Sequence, residues 1–222
     1  FTQRYCVDYT NTASTALQRS TYVAMDFVDV HMGWTREPGG TPSADVNSAF
    51  YCGYSKFQQY MKQPPGWEVK GKEDWICKLI MNMPGTKDGS FNFYTDLDKT
   101  MNDAGCERCM WDPCLYAYTD KRGKCAFIGV HVDDLAFWGE PAAVAEVMAL
   151  IKKRYRLKVS DDRKCFVGIL REVKPDGSVH LSQPHMLEKA AHVAGVHRRH
   201  NKVAAFTALL GSRGYFIKED LR

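Results

Sequence analysis

Two adjacent carboxylates interrupt an otherwise apolar run, Phe127-Ile128-Gly129-Val130-His131-Val132-Asp133-Asp134-Leu135-Ala136-Phe137-Trp138, and no other stretch restricts the fold so narrowly. Burying unpaired carboxylates is costly, so this pair must lie at a turn, be hydrogen-bonded or hold a cation. The flanking residues are strand-like, which predicts a hairpin with the aspartates at its tip. A third carboxylate stands in a similar setting, in Asp45-Val46-Asn47-Ser48-Ala49-Phe50. Neighbouring side chains on a strand point to opposite faces, but a tight turn brings them to one edge. Aspartates gathered from separate strands suit the coordination of two divalent ions for phosphoryl or nucleotidyl transfer. Asp is also a favoured turn residue, and spacing alone leaves both readings open.

With 222 residues the chain can bury a proper core, as one domain or two subdomains. The net charge of +4 is modest, and its distribution says more. Lys152-Lys153-Arg154-Tyr155-Arg156-Leu157-Lys158 and His197-Arg198-Arg199-His200-Asn201-Lys202 are basic clusters that suit either a nucleic-acid face or a solvated helix end. No apolar run approaches the roughly 18–20 residues needed to cross a bilayer. The first residues do not resemble a signal peptide and read as the middle of a longer chain. Eight cysteines, the tightest group being Cys106, Cys109 and Cys114, form no clear disulfide framework. A zinc site usually takes four ligands, and no fourth stands nearby. The expectation is reduced thiols in an intracellular protein.

Spacing of Leu17, Met25, Val28 and Met32 predicts a helix over much of 15–33. Residues 36–43 read as loop, and Gly39-Gly40-Thr41-Pro42 is poor strand material, so Asp45 is expected to be loosely held. Trp75 to Ile80 alternates like a strand. Residues 91–104 read as a helix with Phe91, Tyr94, Leu97 and Met101 on one face and Gly105 beyond its end. Leu115–Thr119 and Cys125–Val130 form a hairpin across Asp120-Lys121-Arg122-Gly123. Pro141 opens a helix with Val144, Val147, Met148, Ile151 and Tyr155 as its apolar stripe. Phe166–Leu170 is expected to pair with Val179–Leu181, ahead of a helix from Pro184 to Ala194. Helices alternating with antiparallel hairpins make the class α+β.

The order of these segments resembles the reverse transcriptase of copia-type LTR retrotransposons. Phe1 to Thr10, Asp45 to Phe50, Tyr60-Met61-Lys62-Gln63-Pro64-Pro65-Gly66-Trp67, Asp112 to Tyr116, Val132-Asp133-Asp134-Leu135, Phe166-Val167-Gly168-Ile169 and Leu181-Ser182-Gln183 match in sequence, over residues 1–196. The resemblance implies a palm and fingers fold, an antiparallel sheet whose catalytic hairpin packs on helices. Residues 166–183 would form the primer-gripping hairpin, followed by the start of a thumb, with 197–222 a divergent tail. Asp45, Asp133 and Asp134 would bind two Mg²⁺ ions. Phe50 would be the steric gate that selects deoxynucleotides, and Gly85 and Lys87 would help position the nucleotide. Phe166, Val167, Gly168 and Ile169 would hold the primer 3′ end. The partners would be an RNA or DNA template–primer and a deoxynucleoside triphosphate.

Some segments depart from the family pattern. In Met83 to Tyr94 only Gly85, Lys87 and Tyr94 follow it well, and Gly89-Ser90-Phe91 replaces its core. Tyr54 to Gln59 carries apolar and neutral groups where the family is acidic, a candidate partner surface. The family's basic segment does not precede Phe1, and no RNase H region follows. Two functions are therefore carried forward. One is RNA-directed DNA polymerisation. The other is a domesticated, weak or inactive form of the same fold, serving as a structural subunit among protein partners in a larger complex.

Overall fold

The strand-forming run from Leu115 to Gly139 folds back on itself twice, and this meander is the centre of the molecule. The computed structural model describes residues 3–12, 16–161 and 163–193. They fall into two units divided between Asp162 and Arg163. In chain order the first unit contains α1 (Arg19–Met32), β1 (Ser43–Val46), β2 (Gln59–Lys62), β3 (Ile76–Leu79) and α2 (Gly89–Asp103). It continues with β4 (Glu107–Arg108), β5 (Leu115–Thr119), β6 (Cys125–His131), β7 (Asp134–Gly139), α3 (Pro141–Lys152) and β8 (Leu157–Ser160). Six strands form one antiparallel sheet in the order β4-β5-β6-β7-β1-β8, and β2 and β3 form a separate two-stranded ribbon. The class is α+β.

Pairing of β1 with β7 continues back past the strand itself. Phe137 N–H donates to Pro42 O and Gly139 N–H to Gly40 O. Proline lacks a donor but its carbonyl still accepts, so Pro42 gives up one of the two bonds it could exchange with Phe137 and keeps the other. A Cβ on Gly40 would lie 2.5 Å from Trp34 O, so only glycine admits so close a backbone approach. Gly39 to Pro42 indeed stay outside the strand, which begins at Ser43, but the expectation that Asp45 is therefore loosely held is not met. Asp45 lies in an interior strand, bonded to β7 on one side and β8 on the other.

Residues Leu135 to Trp138 are fully buried. On one face Trp138 meets α1: its Nε1 donates to Asp26 Oδ1 at 2.8 Å, and its ring stands edge-on to Tyr22. The buried face of α1 is Tyr22, Met25, Asp26 and Asp29, while Phe27 is 66% exposed and Val28 and Met32 also face solvent. The expected stripe through Val28 and Met32 is thus incorrect, because hydrophobic spacing cannot register that Trp138 needs an acceptor. Gly33, in the left-handed conformation, ends the helix. α3 lies against β5, β6 and β7 and buries Val144, Val147, Met148 and Ile151 as its spacing predicts. α2 buries Phe93, Leu97 and Met101, whereas Phe91 and Tyr94 are only half-buried.

The second unit holds β9 (Cys165–Phe166), β10 (Ile169–Val173), β11 (Val179–Ser182) and α4 (Pro184–Val193), with its sheet ordered β11-β10-β9. The expected strand Phe166–Leu170 is instead broken by a two-residue turn at Val167-Gly168, and Phe166 pairs back onto Ile169. Only Ile169–Val173 continues toward β11. Ala194, the basic cluster 197–202, the apolar stretch 203–210 and the tail to 222 lie outside the described residues. No described helix is long and apolar enough to cross a membrane.

Leu97 is fully buried on α2. Leu97→Ala is expected to destabilise the protein by about 2–5 kcal/mol in urea unfolding; a loss well under 1 kcal/mol would remove α2 from the core.

Candidate functional site

The hairpin between β6 and β7 is closed by two residues, Val132 and Asp133, because His131 pairs directly with Asp134. The tip is therefore Val132-Asp133, and Asp134 is the first residue of β7. Val132 takes φ 57°, a left-handed conformation that a β-branched residue rarely adopts. Such backbone typically costs about 1–3 kcal/mol and persists only where the surroundings over-determine it. Four non-glycine residues among those described have positive φ. Three of them, Ser48, Val132 and Val167, fall in or beside three of the four segments marked for chemistry, the exception being that of Gly85 and Lys87.

Register brings two of the expected carboxylates together. Asp45 on β1 is the direct partner of Asp134 on β7. Val46 N–H donates to Asp133 O at 2.9 Å and Phe137 N–H to Pro42 O at 3.0 Å. These bonds make Asp45 and Asp134 a non-hydrogen-bonded pair, the class with Cα atoms only about 4.5 Å apart and side chains closest. Like charges so placed are destabilising. Burial first, then the Asp133 and Asp45 carboxylates, push Asp134 above its ordinary value, while His131 draws it down.

The same register continues across the sheet. Asp45 also pairs with Lys158 on β8. Direct partners share a face, so His131, Asp134, Asp45 and Lys158 form one row over four strands, with an imidazole and an ammonium at its ends and the two acids between. The sequence reading places Lys158 only within a basic cluster. Leu157-Lys158-Val159-Ser160 alternates, and its half-buried Leu157 and Val159 set Lys158 on the opposite face. Arg154, from the same cluster, is committed elsewhere: its Nη2 lies 3.0 Å from Asp96 Oδ2 and also donates to Cys52 O.

The donor set of Asp45, Asp133 and Asp134 is all oxygen and mutually repulsive, which fits a hard divalent ion. As placed, the three side chains do not converge: no group of three or more His, Cys, Asp or Glu among the described residues is close enough to hold a metal. All eight cysteines are free thiols, with Cys106 and Cys114 buried.

The remaining expected residues lie at separate places. Phe50, half-buried in a short 3-10 turn (Ala49–Tyr51), sits beside the start of α2, where a Cβ on Gly89 would be 3.7 Å from its ring. Gly85 takes φ 92° in the loop before α2, and Lys87 is exposed, its N–H donating to Gln3 Oε1. In the second unit Val167 and Gly168 form the turn, both with positive φ, and Phe166 and Ile169 are buried. Ser55 and Gln59, expected on a partner surface, instead turn inward to Asp88, while Tyr54 is exposed.

The family described as reverse transcriptase (RNA-dependent DNA polymerase) matches residues 1–205. The retrovirus-related Pol polyprotein from transposon RE2 of Arabidopsis thaliana is 28% identical over 185 residues, which is 82% of this chain and 12% of that polyprotein. The corresponding polyprotein from transposon RE1 of the same plant gives the same figures. That from transposon TNT 1-94 of Nicotiana tabacum is 28% identical over 148 residues, 65% of this chain and 11% of the polyprotein. The chain thus spans about an eighth of the length of these relatives.

The raised Asp134 carboxyl sets a pH test. Below the ordinary value of 3.8 both folded and unfolded states hold the proton. As pH climbs past it, the unfolded state releases its proton first, so this group lowers stability progressively until the folded carboxyl ionises. In divalent-free buffer Asp134→Asn is expected to unfold at a higher temperature than the parent at pH 7, with the gain vanishing near pH 3. Equal midpoints at pH 7 would mean the carboxylates do not repel.

Proposed function

Because this chain belongs to the reverse transcriptase (RNA-dependent DNA polymerase) family of copia-type retrotransposon Pol polyproteins, we propose that it adds deoxynucleotides to a primer 3′ end on an RNA or DNA template. The observation that carries this reading is the direct pairing of Asp45 with Asp134, next to the turn that holds Asp133. On this reading the first unit supplies fingers and palm, and the second supplies the primer grip and the start of a thumb.

Asp45, Asp133 and Asp134 would hold two Mg²⁺ ions. When bound, such ions neutralise triphosphate oxygens and lower the pKa of the attacking hydroxyl. The protein's own side chains do the rest. A cation between Asp45 and Asp134 would relieve the repulsion of that opposed pair, with Asp133 turning in from the adjacent turn to complete the set. Lys158, across from Asp45, adds an ammonium that attracts the anionic triphosphate. The Phe50 ring would collide with a 2′-hydroxyl and so favour deoxynucleotides, with Gly85 and Lys87 lining the nucleotide. Phe166 to Ile169 would steady the primer terminus through a turn whose backbone is held in one strained conformation.

A second reading, a structural subunit of a larger assembly with weak or no polymerisation, is favoured by the segment before α2. Asp88 is buried and accepts from Asn92 Nδ2 at 2.8 Å, Gln59 Nε2 at 3.3 Å and Ser55 Oγ at 3.4 Å. A stretch that the family uses for the nucleotide is here fastened inward.

Primer extension separates the two. Asp133→Asn is expected to abolish Mg²⁺-dependent extension, a loss of at least a hundredfold by analogy with removal of other charge-stabilising groups, while leaving the circular dichroism spectrum unchanged. No extension by the parent chain, alone or within a longer Pol polypeptide, would sink the polymerase reading. Stoichiometric protein partners whose binding ignores Asp133→Asn would then support the subunit.

A further inference from the structure

The β2–β3 ribbon carries an outward surface that the carboxylate row does not use. Its register pairs Tyr60 with Lys78 and Lys62 with Ile76. Direct partners and residues two apart share a face, so Tyr60, Lys62, Ile76 and Lys78 lie together, and Gln59, Met61, Cys77 and Leu79 lie on the other side. That other side is the inward one. Gln59 is buried and donates to Asp8 O and Asp88 Oδ1, and Met61 and Leu79 are half-buried. The first face is open: Tyr60 is 51% exposed, Ile76 61% and Ile80, just beyond, 75%. Lys62 and Lys78 are exposed as well.

No carboxylate occupies a strand position of this face, while the connecting loop carries Glu68, Glu73 and Asp74 beside Lys70 and Lys72. Two acids of the connecting loop, Glu68 and Glu73, accept from the backbone N–H groups of Gly66 and Gly71, both at 2.8 Å. The loop also presents Trp67, 82% exposed. At the foot of the ribbon Lys56, Phe57, Lys78 and Ile80 line a hollow of about 450 Å³. The surface therefore alternates ammonium groups with flat or branched apolar side chains.

We propose that this outer face binds single-stranded nucleic acid, with backbone phosphates on Lys62 and Lys78 and bases on Tyr60, Ile76 and Ile80. Charge selects the occupant: the charged residues at the strand positions of this face are both lysines, with Lys56 at its foot, and such a group attracts a polyanion and repels a basic surface. The interleaved apolar groups require that the polyanion also offer flat apolar faces. Unpaired bases do so, whereas the bases of a duplex are already stacked on each other. The inference rests on the reading of this chain as a nucleic-acid-handling domain, and it places a strand contact outside the carboxylate site.

The test measures binding of fluorescein-labelled oligo(dT) and oligo(rU) to the full chain by anisotropy across a salt series. Lys62→Glu with Lys78→Glu should weaken binding about tenfold or more and flatten the slope of log K against log salt by about 1.4, as two lost phosphate contacts require. Tyr60→Ala should weaken it about fivefold or more through lost stacking, and Tyr60→Phe should restore it. No binding by the parent chain, or parental affinity in these variants, overturns the proposal. So does a parent that self-associates in sedimentation velocity through this face, with the charge reversal dissociating it while oligonucleotide affinity stays parental. Ribbon variants that lose strand binding in a chain without extension activity would sink the polymerase reading and keep the platform. Normal strand binding by the variants alongside normal extension would do the reverse.

Discussion

Everything at the candidate site depends on one short strand held between two others. β1 is four residues long, yet it joins β7 to β8 and sets Asp45 against Asp134 and Lys158. Backbone bonds fix that register: Val46 N–H to Asp133 O, Asn47 N–H to Arg156 O, and the carbonyls of Pro42 and Gly40 accepting from β7. A slip of one residue would turn every side chain of β1 over. Asp45 would then enter the apolar layer formed by Ala44 and Val46, which are 4% and 1% exposed. The buried residues on either side of Asp45 therefore choose the face on which it appears.

Electrostatics opposes what the backbone imposes. Two carboxylates face each other at the closest spacing a sheet offers, with Asp133 beside them. The compensations are a histidine at one end of the row, a lysine at the other and a raised Asp134 pKa. Fold stability alone would be served better by an uncharged pair. The strain at Val132 points the same way, since a glycine there would relax the turn. Local departures from stable design collect where chemistry is expected.

Much of this is legible in the sequence, and the failures share a cause. The β5–β6 hairpin, the aspartate turn, the α3 stripe and the class follow from spacing, because there local preference and tertiary context agree. α1 is found and Met25 is buried as expected, but its face is turned away from Val28 and Met32: Asp26 is inside for the sake of the Trp138 indole, a need more than a hundred residues away in the chain. The strand at 43–46 is undervalued because propensity counts proline and glycine against it and cannot see which backbone groups the ladder uses. Phe166–Leu170 is read as continuous because no pattern announces a valine at φ 51°. Asp45, Asp133 and Asp134 are visible as unusual residues, but the row that adds Lys158 exists only in the register of strands distant in sequence.

That register also governs timing. β5, β6 and β7 are neighbours in the chain and can pair as soon as they are made, whereas β1 finds its first partner roughly 90 residues downstream and its second later still. During synthesis, Asp45 leaves the ribosome long before anything exists to receive it. Until β7 has emerged the three aspartates have never met, and until residues near Ser160 follow, β1 remains a bare edge of the sheet. A nascent chain truncated ahead of β8 can already oppose its acidic residues but has nothing on their far side to answer them.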